Sequence, residues 1–400
     1  MDFPRIISQK ISALLKPFLA PEIAVAKSLL EVTDLPTWGE LLKSCQDFPE
    51  NYAGHFEPEA VTEVKNLLGR EEELESLGQV LLRWDSGRAC SVAMIGPEGS
   101  GKTSLINSFV AMAEVRHSVQ VAHLPCRVAC VRDLLDIFSQ QLVSETRFAS
   151  VQEVIYYIFS RPRQVLVFEC GHNLTLRLTG CREALQAFFY ILIETRQHWM
   201  WIVSFRRFPW ERLVMTTAIP QYFTHQVTTT YHDQQQIREI LEMRHSRSGL
   251  TLKFLDEEEV ERPQEELSSS FYKNLFAATG GNIAAALYYW LFSLEHDLAT
   301  GGINVRPLGS VEVGHIRSLD RSYHFTLAEI VWHGGLSCSE HQELFLQTSA
   351  ASRLQLEYLT QLSLLVTSGV DDEGFPEVYR LNPTYFKQVI TLLESLHLIY

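Results

Sequence analysis

The sequence predicts an α/β fold in which a parallel sheet is followed by a helical region and a winged helix-turn-helix. Apolar strands alternate with helical patterns between residues 61 and 232, and a glycine-rich turn joins the first of these strands to a helix. After residue 233 the pattern is helical until a hairpin near the C-terminus. Strands that alternate with helices build parallel sheets, which bind ligands at the carboxyl ends of their strands.

The glycine-rich turn follows the apolar run Val92–Ile95 and opens a helix at Lys102. It matches G-x-x-x-x-G-K-[ST] at every fixed position. Those positions hold Gly96, Gly101, Lys102 and Thr103. Backbone N–H groups of such a turn close around phosphate oxygens, and the helix dipole adds positive potential. We therefore predict a nucleoside triphosphate site, with Lys102 on the phosphates and Thr103 on Mg²⁺. The predicted contacts are Gly96, Pro97, Glu98, Gly99, Ser100, Gly101, Lys102, Thr103 and Ser104.

Composition restricts the class of partner and the compartment. A net charge of −14 over 400 residues opposes a broad nucleic-acid surface or an anionic membrane. The seven cysteines include no C-x-x-C pair, which is typical of free thiols in a reducing cytosol. The longest apolar stretch, Ile283–Phe292, is too short to span a bilayer. We expect a soluble, cytoplasmic protein without membrane insertion.

Four segments are predicted from changes in pattern. They are residues 1–60 as an N-terminal helical extension and linker, 61–232 as the core, 233–300 as a helical lid, and 301–400 as the winged helix. An apolar face on Pro4–Leu19 indicates a helix, which either packs on its own core or docks a partner or a second copy. Asp47–Pro58 is rich in turn residues and is predicted to be the linker.

The pattern also gives bounds for individual elements. Core strands are expected at Val92–Ile95, Val119–Leu124, Gln164–Phe168, Met200–Ser204 and His225–Thr230. A Gly280-Gly281-Asn282 turn leads into a lid helix expected to reach Leu294. In the winged helix, helices are expected at Thr326–Trp332, Ser339–Leu346 and Ser352–Leu362, followed by a hairpin with the acidic tip Asp371–Gly374. Asn382 as cap and Pro383 at the first position begin a last helix.

Together these motifs resemble the AAA+/STAND branch of P-loop ATPases, particularly its origin-recognition-like members, over roughly residues 65 to 400. Gly69-Arg70-Glu71 resembles the family's Gly-Arg-Glu sequence motif, which lies against the adenine of the nucleotide. Gly280–Ile283 resembles the family's lid turn. The resemblance implies a parallel-sheet P-loop NTPase core with a helical lid and a C-terminal winged-helix domain. It also implies ATP and Mg²⁺ as cofactors, and it adds Gly69 and Arg70 to the nucleotide site.

The Walker B region, Val165–His172, departs from the family pattern of Asp-Glu after four apolar residues. In one register Glu169 takes the Asp position on Mg²⁺ and Cys170 takes the catalytic Glu position. A thiol with a pKa near about 8.5 is a poor general base. In the other register Glu169 is the catalytic base and Phe168 takes the Mg²⁺ position.

Arginines that the family uses for phosphoryl transfer are also missing. Gln221-Tyr222-Phe223 stands in place of the Ser-Arg-Phe box, and no arginine lies near Ala284 for the second sensor. Such arginines are worth ~10³-fold or more in rate. Arg206 and Arg207, after the fourth strand, are candidates for the lost role, the alternative being a solvated turn. These departures favour retained binding with weak or absent hydrolysis.

Charge decides what the winged helix can bind. Residues 301 to 400 hold six basic and eleven acidic side chains, whereas a DNA reader needs a basic surface. Specific DNA binding is therefore disfavoured against contact with protein or packing against the chain's own ATPase core. The leading hypothesis is a nucleotide-controlled switch or assembly scaffold for a protein partner, with self-association as a variant. The alternatives are an ATP-dependent DNA-loading or transposition-regulator ATPase and an active ATPase that uses Glu169.

Overall fold

The computed structural model describes most of the chain. It covers residues 35–45, 48–61, 66–124, 127–144, 147–174, 181–256, 262–308, 314–370 and 376–399. The helix predicted at Pro4–Leu19 and the acidic tip at Asp371–Gly374 lie outside these residues. In the part of the chain that is covered, no helix combines the length and the apolar character needed to cross a membrane.

A five-stranded parallel sheet forms the core, as predicted. Its strands are β1 (Ser91–Gly96), β2 (Val119–His123), β3 (Val165–Glu169), β4 (Met200–Arg206) and β5 (His225–Thr228). They are ordered β2-β3-β4-β1-β5, so β1 lies between β4 and β5 in the sheet. The chain leaves β1 for the distant strand β2, and ligands of parallel sheets bind at the carboxyl end beside such a change of direction.

Helices cover both faces of this sheet and build the regions that follow it. Before the sheet and around it lie α1 (Trp38–Ser44), α2 (Glu71–Asp85), α3 (Lys102–Ala113), α4 (Val131–Gln141), α5 (Val151–Ser160), α6 (Cys181–Thr195) and α7 (Arg207–Thr216). After it lie α8 (Gln234–Ser246), α9 (Gln264–Thr279), α10 (Ile283–Phe292), α11 (Gly314–Arg317), α12 (Arg321–His333), α13 (Cys338–Phe345), α14 (Ser349–Gln361) and α15 (Phe386–Ser395).

β3 shows why the core strands read as apolar runs. Val165 and Val167 pack with residues of α2 and α3, whereas Leu166 and Phe168 pack with residues of α4, α5 and α6. Successive side chains of a strand point to opposite faces, so a strand covered by helices on both faces is apolar throughout.

The lid differs from its predicted all-helical form. It holds a three-stranded sheet of β6 (Leu252–Phe254), β7 (Leu294–Asp297) and β8 (Gly302–Val305). The helix expected to reach Leu294 ends at Phe292, because Leu294 begins β7 and pairs with Val305. Strands of three or four residues give too short a pattern to be separated from loops in the sequence.

The stretch before the core packs into this lid. Pro49–Phe56 forms a 3₁₀ helix, and Tyr52 and Phe56 are fully buried among lid residues. The Phe56 ring stacks on Trp290 of α10 at a centroid distance of 5.9 Å. This stretch is therefore a packed part of the lid and not the linker that its turn residues predict, since burial of the aromatic rings outweighs those signals.

The winged helix has the predicted helices and hairpin. β9 (Leu365–Val370) and β10 (Pro376–Leu381) pair antiparallel, with Leu381 opposite Leu365. The Asn382 side chain accepts a hydrogen bond from the backbone N–H of Thr384 at 3.0 Å, as expected of a cap. The first turn after it is 3₁₀, and α15 begins at Phe386.

Candidate nucleotide-binding site

The glycine-rich turn leaves the carboxyl end of β1 and opens α3. Gly101 caps α3 with a left-handed backbone (φ 81°). The Lys102 ammonium folds back on the turn and donates to the carbonyl oxygens of Gly96 and Pro97, at 2.8 and 2.6 Å. Burial, with the nearby Arg206 guanidinium, lowers the pKa of Lys102 to about 7. An anion bound beside Lys102 would raise its pKa again and keep the ammonium charged. A charged lysine is what a phosphate-binding loop requires.

A cavity of about 410 Å³ lies over this turn, within the size range of small-molecule sites. Of the predicted site residues, its wall includes Arg70, Glu98, Gly99, Gly101, Lys102, Thr103, Ser104, Glu169 and Arg206. Gly69, Gly96, Pro97, Ser100 and Arg207 are not part of the wall. The rest of the wall is largely apolar where α8 and α10 approach, with Leu67, Leu68, Ile240, Met243 and Leu287. This end fits a flat base, and the glycine-rich end fits phosphates.

Arg70 supports the phosphate loop through hydrogen bonds to its backbone. Its Nη2 donates to the carbonyl oxygen of Ser100 at 3.0 Å and also to that of Thr230, and its Nη1 lies 3.1 Å from the Glu73 carboxylate. The Ser100 hydroxyl is 2.8 Å from that of Thr229. These bonds hold the loop to the end of β5. The guanidinium therefore acts on the loop, and Arg70, which the sequence predicts as a nucleotide contact, also belongs to the cavity wall.

The end of β3 brings Glu169 into the cavity. The Glu169 carboxylate is 3.1 Å from Nδ1 of His123, the last residue of β2. Phe168 faces the other side of the sheet, with its ring 5.4 Å from Phe138 and 5.9 Å from Trp201. A phenyl ring has no atom that binds Mg²⁺, and this ring is packed among other aromatic rings. This favours the register with Glu169 at the Mg²⁺ position. Thr103 and Glu169 then supply a hydroxyl and a carboxylate, which fits Mg²⁺ that keeps waters and phosphate ligands.

Cys170 has an unusual backbone and a neutral side chain. It takes a left-handed conformation (φ 62°), which is uncommon for a residue with a Cβ. Burial raises the pKa of the Cys170 thiol, so it stays protonated near pH 7. A protonated thiol cannot accept a proton from an attacking water. In the register with Glu169 on Mg²⁺, the position expected for the catalytic Glu therefore holds a protonated thiol.

The two predicted arginines after β4 have different surroundings. Arg206 lies in the cavity wall, 2.9 Å from the Glu98 carboxylate, and it also donates to the backbone carbonyl of Gly334 in the winged helix. Arg207 opens α7, a helix that the sequence pattern did not reveal, and pairs with Glu211 at 2.8 Å. Of the two, only Arg206 belongs to the cavity wall.

The lid turn also touches the phosphate loop. The Asn282 side-chain amide donates to the Glu98 carbonyl oxygen at 3.2 Å, and the Ile283 N–H donates to that of Gly99 at 3.1 Å. Gly99 has a φ of 77° and lies so close to the Asn282 side chain that a Cβ would collide with it. Asn282 is a contact that the predicted site lacks, although the turn that contains it was noted in the sequence.

Arg127 is a second residue that sequence reasoning missed. Its guanidinium donates to the carbonyl oxygens of His172 and Gly335, both at 2.9 Å, and lies 3.0 Å from the Glu340 carboxylate. It therefore joins the segment after β3 to the winged helix. No local signal marks such a residue, because its partners on the winged helix are more than 200 positions away in sequence.

Of the lid arginines, Arg244 lines the cavity and donates to the carbonyl oxygens of His55 and Glu57, at 3.1 and 2.9 Å. Arg238 pairs with Glu242 on the surface of α8, at 2.8 Å. The partners of both arginines therefore lie outside the phosphate loop.

Comparison with known proteins gives similarity at the level of fold. No family model and no curated protein matches the chain. Solved structures with a similar fold include the ORC2 protein of Aeropyrum pernix, solved as ADPNP–ADP complexes, with 14% identity, a TM-score of 0.47, and coverage of 85% of this chain and 96% of that chain. The ORC1 protein of the same organism, solved in complex with DNA, has 15% identity, a TM-score of 0.46, and coverage of 86% and 96%. Cdc6p of Pyrobaculum aerophilum has 13% identity, a TM-score of 0.45, and coverage of 86% of this chain and 98% of that chain. At these identities and TM-scores the similarity extends to the fold alone.

Proposed function

We propose that this protein is an ATP–Mg²⁺-binding switch that hydrolyses ATP slowly and presents or hides a surface for a protein partner. The observation that carries the proposal is Arg206, which contacts the phosphate loop through Glu98 and the winged helix through Gly334. A side chain that touches both regions from the cavity wall can report the nucleotide state to the winged helix.

The mechanism follows from the bonds that a triphosphate would replace. Lys102 would exchange the carbonyl oxygens of Gly96 and Pro97 for phosphate oxygens, and Thr103 and Glu169 would hold Mg²⁺. Arg206 would turn from the Gly334 carbonyl toward the terminal phosphate, since a guanidinium binds an ionised phosphate more strongly than a neutral carbonyl. A diphosphate cannot offer that contact, so the two nucleotides favour different positions of the winged helix.

Slow hydrolysis suits a switch, because the triphosphate state then lasts. Cys170 is protonated, and the Glu169 carboxylate is bonded to His123. An active ATPase that uses Glu169 as its base is the alternative, and it requires Glu169 to leave His123.

DNA loading is the less supported function. The exposed face of α14, where a DNA reader would carry basic groups, presents Leu354, which is 71% exposed, and the exposed Glu357. These residues fit contact with protein better than contact with phosphate.

Hydrogen exchange with bound ATP and with bound ADP, both with Mg²⁺, tests the switch. We expect the amides around Gly334 and Leu336 to exchange at different rates in the two states. The matched control is the exchange of the backbone amides of Phe56 and Trp290, whose rings stack in the lid. Their exchange rates should be the same with either nucleotide. Equal exchange around Gly334 in both states would contradict the proposal.

A further inference from the structure

Arg380 of the winged helix lies beside the residues that Arg206 contacts. β10 is joined to the segment after Gly335 by two backbone hydrogen bonds between Leu336 and Tyr379, at 3.0 and 2.8 Å. A Cβ on Gly335 would lie 3.0 Å from Cγ of Arg380, and a Cβ on Gly334 would lie 2.9 Å from Cδ of Arg206. Two consecutive glycines thus touch the two arginines, and their missing side chains leave room for both.

The same glycines place these arginines at the phosphate end of the cavity. A Cβ on Gly334 would lie 3.2 Å from the His172 ring, and His172, Cys170 and Arg206 all belong to the cavity wall. Arg380 is close enough to this wall for its charge to act on the Cys170 thiol and the His172 ring.

Positive charge exceeds negative charge here, because three cations share the carboxylates of Glu98 and, at the end of β3, Glu169. Lys102, Arg206 and Arg380 lie around Glu98, whose carboxylate pairs with Arg206. Arg127 is near too, but it has its own partner in Glu340. Burial, and then the neighbouring Arg206, lower the pKa of Arg380, and burial with these same cations lowers the pKa of His172. Cations held close together in a partly buried place are stabilised by an anion.

One nitrogen of the Arg380 guanidinium has no hydrogen-bond partner among the described residues. Its Nε is buried, and no hydrogen-bond acceptor meets it among the residues that the structure describes. A buried N–H of a charged group is normally paired, so an orphaned one marks a place for a missing acceptor.

We propose that Arg380 binds the terminal phosphate of the nucleotide, so that the winged helix supplies an arginine to the site of its own chain. The inference rests on the function proposed above and deepens it. A triphosphate held by Lys102 of the core and Arg380 of the winged helix draws these two regions together, and Arg206 joins the phosphate from the core. Loss of the terminal phosphate leaves Arg380 without its anion, and the winged helix is then held by the bond between Arg206 and Gly334 instead.

Calorimetric titration of Arg380→Ala with ATP–Mg²⁺ and with ADP–Mg²⁺ tests this contact. We expect the affinity for ATP to fall roughly ten- to hundredfold, as for loss of one charged hydrogen bond, and the affinity for ADP to change by less than about threefold. Arg380→Lys keeps the charge and should recover part of the ATP affinity. Arg317→Ala removes an exposed arginine of the same region and should bind both nucleotides as the wild type does.

The outcomes separate the inference from the function on which it rests. Equal losses for ATP and ADP in Arg380→Ala, or no loss for either, would overturn the role of Arg380 while wild-type binding still supports the nucleotide site. A wild-type protein that binds neither nucleotide would overturn both. Thermal unfolding of Arg380→Ala without nucleotide shows whether the variant is folded, and Arg380→Lys carries the test if it is not.

Discussion

The guanidinium of Arg206 lies 2.9 Å from the carboxylate of Glu98 and donates to the backbone carbonyl of Gly334. One side chain at the end of β4 therefore links the phosphate loop to the winged helix. The phosphate loop and the winged helix are about 230 positions apart in sequence, so the link depends on the tertiary fold.

Arg206→Ala should release this link. We expect the winged helix to be cut by protease faster in the variant than in the wild type, because one bond to Gly334 is lost. Arg207→Ala is the matched control, since Arg207 pairs with Glu211 on the surface of α7. Equal cleavage of Arg206→Ala and wild type would show that Arg206 does not hold the winged helix.

Nucleotide affinity should depend on pH through Lys102. Its pKa is lowered to about 7 in the unliganded site, and a bound phosphate raises it, so binding takes up a proton. The contribution of Lys102 is complete below the unliganded pKa and is lost as pH rises. Between about pH 7 and pH 9 we expect the affinity to fall by up to about tenfold per pH unit. Calorimetry in two buffers of different ionisation enthalpy measures the proton uptake, and an affinity independent of pH would contradict the assignment.

Glu169 and Cys170 should respond differently to substitution. Glu169→Gln is expected to remove the gain in ATP affinity that Mg²⁺ gives, because an amide is a weaker ligand for a hard cation. Cys170→Ala should leave both binding and the slow turnover unchanged, since a buried, protonated thiol contributes no base. A Cys170→Ala variant without residual turnover would show that the thiol takes part in hydrolysis.

Packing of Phe56 against the lid should be measurable as stability. Phe56→Ala leaves a cavity beside Trp290 and is expected to cost about 3–5 kcal/mol in the free energy of unfolding. Tyr156→Ala is the control, because Tyr156 is 77% exposed and its loss should matter little. Urea titration gives both values. A loss as small as the control's would mean that residues 49–56 behave as a linker after all.

The sequence was sufficient for the core because its signals are local there. A buried strand requires a short apolar run such as Val165–Phe168, and a phosphate-binding turn requires glycines such as those around Lys102. Both requirements are visible within a few residues of sequence. The contacts of Arg127 and Arg206 with the winged helix could not be predicted, since they depend on how distant segments meet. Tyr52 and Phe56 were hidden for a related reason: turn residues around them gave a stronger local signal than two aromatic rings whose partners lie far along the chain, in α8 and α10.

Nucleotide retention and turnover of the purified protein, beside Lys102→Ala, test the central claim most directly. The nucleotide is extracted and identified, and phosphate release is followed over hours. We predict bound ATP that is absent from Lys102→Ala, with phosphate release far slower than the roughly 1 s⁻¹ at the low end of ordinary enzymes. Phosphate release near that rate, or a wild-type protein that holds no nucleotide, would contradict an ATP-held switch.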